Sequence, residues 1–223
     1  MSEESGTVAC EKKERGRGRG HDRRIYGNKW SIKKISGEKN IPQLRAAIGE
    51  KAYGHVLEIG SGTGANFPYY TDALRVDAIE PDPKRGKRSR SQIKKAKVPI
   101  HLHTAIAEQL PFDENAFDSV VATLVFCTIP DPHKALQEIR RVAKPGARIL
   151  FLEHVRMPQQ VMGKVPDFMA PLWKKAFAGC HLNRDTLSVI KNSELSVTKV
   201  ELHYKGFLLA INCVNDKQST PAL

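Results

Sequence analysis

The stretch that most constrains the fold is Val56-Leu57-Glu58-Ile59-Gly60-Ser61-Gly62-Thr63-Gly64, a short apolar run that stops in a glycine-rich turn. The run has the composition of a buried strand, and the three glycines let the backbone turn sharply without Cβ clashes. A strand that feeds such a loop presents bare N–H groups to polar or anionic ligand atoms, the arrangement that recurs in nucleotide-binding α/β folds. The spacing is G-x-G-x-G rather than the G-x-G-x-x-G of a dinucleotide fingerprint, with Glu58 two residues ahead. It therefore disfavours a nicotinamide enzyme.

The elements that follow extend the pattern. A short helix is expected over Ala65 to Tyr70, then a second strand, Arg75 to Glu80. Glu80 falls twenty positions after Gly60, where a carboxylate ending the second strand of a βαβ unit reaches the ribose hydroxyls of a nucleoside. A basic helix over Lys84 to Lys97 and a third strand, Ile100 to Thr104, come next. A fourth strand, Ser119 to Thr123, leads to a helix capped by Asp131 that stops at Lys144-Pro145-Gly146 before a fifth strand, Arg148 to His154. Two alternating runs, Val197 to Tyr204 and Phe207 to Val214, read as a hairpin.

At 223 residues and 40% hydrophobic content, one substantial core is expected. Residues 1–25 read as a disordered basic tail and 26–223 as the folded domain, with 26–54 forming a lid and a helix capped by Asn40. The polar start and the lack of a long apolar run point to a cytoplasmic protein without a transmembrane segment. Four cysteines lie far apart with no C-x-x-C pair, so neither a metal site nor a disulfide framework is suggested. The net charge of +12 is concentrated in residues 1–40, at +5, and in Lys84–Lys97, at +8. Such patches attract nucleic acid or an anionic membrane surface. The arginine-glycine run Arg15–Gly20 has no interleaved aromatics, which favours a solubilising tail over nucleic-acid contact. The oligomeric state is not legible.

The glycine loop, the acid-ended second strand, the Ala107-Glu108-Gln109-Leu110-Pro111-Phe112 turn, the Phe117-Asp118 strand start and the helix-Pro-Gly-strand unit together resemble the class I S-adenosylmethionine-dependent methyltransferases. That resemblance implies a Rossmann-like, doubly wound α/β sheet of seven strands ending in an antiparallel hairpin. It also implies S-adenosyl-L-methionine as cofactor, with S-adenosyl-L-homocysteine as product. Gly60–Phe67, Ala122–Cys127, Phe151–Val155 and the segment from Trp173 to Thr186 are similar to the methyltransferase-like 7 branch, whose animal members are alkyl thiol S-methyltransferases. The chain departs from those animal enzymes in starting with a basic polar tail instead of a hydrophobic anchor, and in carrying Ile106 where many relatives have Asp.

The resemblance implies a cofactor site of Glu58, Gly60, Gly62, Gly64, Asn66, Glu80, Pro81, Ala107, Glu108, Thr123, Leu124 and Val125. Glu153, His154 and His181 are the catalytic candidates, and Cys127, Trp173 and Arg184 the substrate-side ones. Methyl transfer from a sulfonium depends mainly on orientation, so little acid–base apparatus is expected. A small-molecule thiol is the expected acceptor. The alternatives are C- or O-methylation of a quinone precursor, phenol or lipid and, from another class, an RNA-directed enzyme or RNA-binding protein using the basic tail.

Overall fold

The computed structural model describes residues 31–34, 39–154 and 184–218. The basic tail, most of the expected lid, His181 and Trp173 lie outside the described residues. The strands are β1 (Ser31–Lys34), β2 (Tyr53–Ile59), β3 (Asp72–Ile79), β4 (Ile100–His103), β5 (Phe117–Thr123), β6 (Ala143–His154), β7 (Ser196–His203) and β8 (Leu208–Val214). They form one sheet in the order β1-β7-β8-β6-β5-β2-β3-β4. β8 runs antiparallel to both β6 and β7, and every other pairing is parallel. The seven strands β2 to β8 give the expected sheet with its C-terminal hairpin. The finding beyond expectation is β1: four residues of the stretch read as a lid pair with β7 at the outer edge.

Alternation of side chains divides the core between the two faces. Leu57, Ile59, Phe117, Val120 and Phe151 point to one face, which α4 (Pro132–Val142) and α5 (Thr186–Lys191) cover with Leu136, Ile139 and Ile190. Val56, Val76, Val121 and Leu150 point to the other, covered by Leu44 and Ile48 of α1 (Ile41–Gly49) and by Phe67 and Tyr70. Each helix starts where its cap allows. Asn40 accepts from Gln43 N while the Gln43 side chain accepts from Asn40 N, and Asp131 accepts from Lys134 N ahead of Pro132.

Two helices differ from expectation. Ala65–Tyr70 contains only a 3-10 turn at Phe67–Tyr69, because Pro68 has no N–H to donate and Tyr70, at φ −76° and ψ 102°, leaves helical geometry. The basic helix is split into α2 (Pro83–Arg88) and α3 (Arg90–Ile93) at Ser89, whose buried hydroxyl donates to Gly86 O at 2.7 Å. Such side-chain bonding to the preceding turn competes with the helical ladder and bends it.

Register decides where a site can form. Ile59 pairs with Ile79 and Ala122, and Ala122 pairs with Phe151, so the carboxyl ends of β3, β2, β5 and β6 finish in one row. The strand order reverses between β2 and β5, the place where open α/β sheets leave a crevice for ligands. No helix among the described residues is long and apolar enough to cross a membrane.

Candidate functional site: the crevice at the carboxyl ends of β2, β3 and β5

The loop after β2 is held open by contacts that only glycine permits. Gly60 has φ +63°, and a Cβ there would lie 2.2 Å from Val125 Cγ2. Gly62, at φ +57°, faces open space, and its N–H donates to Glu80 Oε2 at 2.8 Å. Gly64 closes the turn by donating to Ser61 O. The Ser61 hydroxyl is buried with no hydrogen-bond partner among the described residues, a polar atom left for a ligand.

Glu80 also accepts from Asp82 N at 3.1 Å through Oε1. Both oxygens are thereby aimed, and each keeps a lone pair for a hydroxyl. Alongside it a cavity of about 220 Å³ is lined by Glu80, Lys87, Arg90, Leu102, His103 and Thr104. Pro81, the next residue along the chain from Glu80, is exposed. Ala107 is buried in the core, and Glu108 is tied to the start of α4, accepting from Asp131 N at 3.2 Å.

Beneath the loop lies a buried polar network. Glu58 is 2% exposed; its Oε1 accepts from Asn66 Nδ2 and its Oε2 from the Tyr70 hydroxyl at 2.8 Å. Asn66 Nδ2 also donates to Thr123 Oγ1, and Asn66 Oδ1 accepts from Arg45 Nη1 at 2.8 Å. Both ends of the Asn66 amide are used inside the protein, so it ties β2, β5 and α1 together beneath the loop. Burial pushes the Glu58 carboxyl up to about 7, against the pull of Tyr70, Arg45 and Asn66. Burial also raises the Tyr70 hydroxyl well above its ordinary value, the neighbouring Glu58 adding to it, and lowers Arg45.

Replacing Asn66 by alanine is expected to destabilise the fold by about 2–4 kcal/mol, since buried groups on three elements lose their partner at once. A thermal melt showing less than about 1 kcal/mol would contradict that role.

At the end of β5 the chain turns through Leu124, which adopts φ +54° and donates to Leu152 O at 2.7 Å. The N–H groups of Val125 and Phe126 converge on Glu153 Oε1, at 3.0 and 3.1 Å. Arg184 Nη1 donates to the carbonyls of Phe126 and Ile129. Arg184, expected on the substrate side, and Glu153, expected as catalytic, thus hold the two ends of one turn. Cys127 is buried within it, its thiol directed at Leu124 O at 3.9 Å. His154 follows Glu153 on the opposite face, stacks on Phe207 at 5.9 Å, and is lowered by burial.

The crevice therefore unites Gly60, Gly62, Gly64, Glu80, Thr123, Leu124 and Val125, with Glu58, Asn66 and Glu153 supporting them from below. Sequence reading missed Arg45 and Tyr70. A cation next to the buried Leu44 and Ile48 of α1 was a usable signal for Arg45, whereas nothing local marks Tyr70.

An adenosyl sulfonium fits these residues, which offer an aimed carboxylate, a cradle over Gly62 and an unmatched Ser61 hydroxyl. Residues 57–151 match the methyltransferase domain family. The chain is 32% identical over 177 residues to rat thiol S-methyltransferase TMT1B, covering 77% of this chain and 72% of the relative. It is 27% identical to phosphatidylethanolamine N-methyltransferase of Cereibacter sphaeroides, over 75% of this chain and 88% of that one. The fold matches the crystal structure of geranyl diphosphate C-methyltransferase from Streptomyces coelicolor, solved with S-adenosyl-L-homocysteine, at a TM-score of 0.61 and 12% identity over 78% of this chain and 74% of that one. With sheet order, cradle and kinship in agreement, the chain belongs to the family of the thiol S-methyltransferase TMT1B and is an S-adenosylmethionine-dependent methyltransferase acting on small molecules.

Proposed function

We propose that the acceptor is a small thiol. The observation that carries this reading is the 32% identity to TMT1B over a span that includes the whole crevice and its β5 turn. The cofactor supplies an electrophilic methyl group on a positively charged sulfur. A sulfur–carbon bond forms to the acceptor, the methyl–sulfonium bond breaks with its electron pair staying on the leaving sulfur, and the thiol proton passes to solvent. A thiol is already a few per cent thiolate at neutral pH, so it needs alignment more than a strong base.

In this reading Gly60, Gly62, Gly64 and the Ser61 hydroxyl receive the methionine portion, Glu80 and Pro81 the ribose, and Ala107 the adenine. Thr123, Leu124 and Val125 border the sulfonium. Cys127 and Arg184 shape the acceptor side through the β5 turn. His181 and Trp173 complete the acceptor-side assignment in sequence terms alone.

The test is transfer of labelled methyl from the cofactor to a panel of alkyl thiols and hydrosulfide, set against phenols, a demethylated quinone and phosphatidylethanolamine vesicles. Turnover confined to the non-thiol acceptors would overturn the reading. A lipid amine is the second acceptor to weigh, because the Cereibacter relative is matched over 88% of its length. A cytoplasmic location is part of the proposal, in keeping with cysteines spaced as separate thiols, and cell fractionation checks it. The two cationic stretches give RNA as a further arm of the acceptor panel, where binding that falls steeply with salt and methyl incorporation into RNA would be needed.

A further inference from the structure

Glu153 ends β6 with a fully buried carboxyl whose two oxygens are treated unequally. Oε1 accepts from both Val125 N and Phe126 N, whereas Oε2 is buried and meets no donor among the described residues. The nearest cations leave that gap open. Arg45, reaching in from α1, donates to Asn66, and Arg184, just ahead of α5, donates to the carbonyls of Phe126 and Ile129. Glu58, from β2, and His154, the next residue of β6, project from the opposite face of the sheet. A buried carboxyl in this state either holds a proton or waits for a ligand that brings positive charge. Its place is informative, because the two N–H groups it gathers belong to the turn assigned above to the sulfonium.

We propose that Glu153 makes this crevice selective for the cationic cofactor over its neutral product, its carboxylate being the negative charge that the sulfonium neutralises. The inference rests on the cofactor reading above and adds a direction to the cycle. Methyl transfer turns the sulfonium into a thioether, with the electron pair of the broken bond on the leaving sulfur. The ligand then loses its positive charge, and the Glu153 carboxylate beneath the turn loses its counter-ion. The hold on the product weakens, which favours its release.

The sign of the proton linkage follows. Burial pushes the Glu153 carboxyl up to about 8, against the N–H groups of Val125 and Phe126 and the charges of Arg45 and Arg184, so the unliganded site holds a proton at neutral pH. A cation favours the ionised form, and its binding must expel that proton. Affinity for the cationic cofactor therefore rises as pH climbs towards about 8, by up to about tenfold per unit, and levels off above it. The neutral product lacks this dependence.

The experiment is calorimetric titration of the full chain with S-adenosyl-L-methionine and with S-adenosyl-L-homocysteine between pH 6 and 9, in two buffers of different ionisation enthalpy. The expected result is proton release on binding the sulfonium alone and a preference for it that grows with pH. In Glu153→Gln, product binding is retained, while the preference falls by about tenfold or more and the pH slope disappears. Equal pH dependence for both ligands in the wild type overturns the inference while leaving the cofactor reading intact, as does an unchanged preference in Glu153→Gln. Failure of the wild type to bind either ligand overturns both. If the variant does not fold, the wild-type proton release decides the matter alone.

Discussion

Gly60→Ala is expected to lose measurable uptake of S-adenosyl-L-homocysteine and to melt well below the wild type. A Cβ at this position lies 2.2 Å from Val125 Cγ2, and a β-branched side chain on a hydrogen-bonded turn has little freedom to swing away. The left-handed φ of +63° adds its own penalty for any residue with a side chain. Together these cost about 2–4 kcal/mol of stability, and any relief moves the Val125 turn that borders the ligand. Gly62→Ala is the informative contrast. Its φ of +57° carries a similar backbone penalty of about 1–2 kcal/mol, yet its Cβ meets nothing within 4 Å. That variant should fold, while its new methyl group occupies the cradle and weakens binding by at least about tenfold. Thermal melts and calorimetry of the two variants, side by side, separate fold from site. Equal loss of stability in both would contradict the close packing of Gly60 on Val125.

The second large effect is expected at Glu80. Its carboxylate is aimed by Gly62 N and Asp82 N and offers a charged acceptor to two neighbouring hydroxyls. A hydrogen bond to a charged group contributes about 1.5–3 kcal/mol, so Glu80→Ala should raise the Kd for S-adenosyl-L-homocysteine by at least about 100-fold. Part of that loss would come from the loop, since Gly62 N is left without its acceptor. A double-mutant cycle separates the two contributions, with the ligand's 2′,3′-dideoxy analogue as the second change. The wild type should discriminate strongly against the analogue and Glu80→Ala should not. Undiminished discrimination in the variant would place the sugar elsewhere.

The parts of this protein that could be read from its sequence are those fixed by local chemistry. Val56–Ile59, Arg75–Ile79 and Ser119–Thr123 announce themselves as buried parallel strands because both faces of the sheet are covered, and Asn40 and Asp131 announce helices because caps act over three residues. Gly60 and Glu80 were legible for a related reason, since a tight turn and a strand end leave few residue types able to serve. The supporting layer was not. Tyr70 and Arg45 reach Glu58 and Asn66 from distant elements, and no spacing rule foretells such meetings. Asn66 and Arg184 were noticed for their positions, but their partners show them bracing backbone and buried groups. The split of the basic helix turned on one hydroxyl, that of Ser89, which packs close to Gly64. β1 could not be foreseen because its pairing partner lies more than 160 residues away.

That outermost strand has a consequence for the molecule's company. Without it, the first unpaired row of amides and carbonyls on this flank would belong to β7, an open template for another chain to copy. By laying Ser31–Lys34 along Lys199–Leu202, the polypeptide shifts its border onto a strand of only four residues, an edge too short to offer strangers much to anneal to.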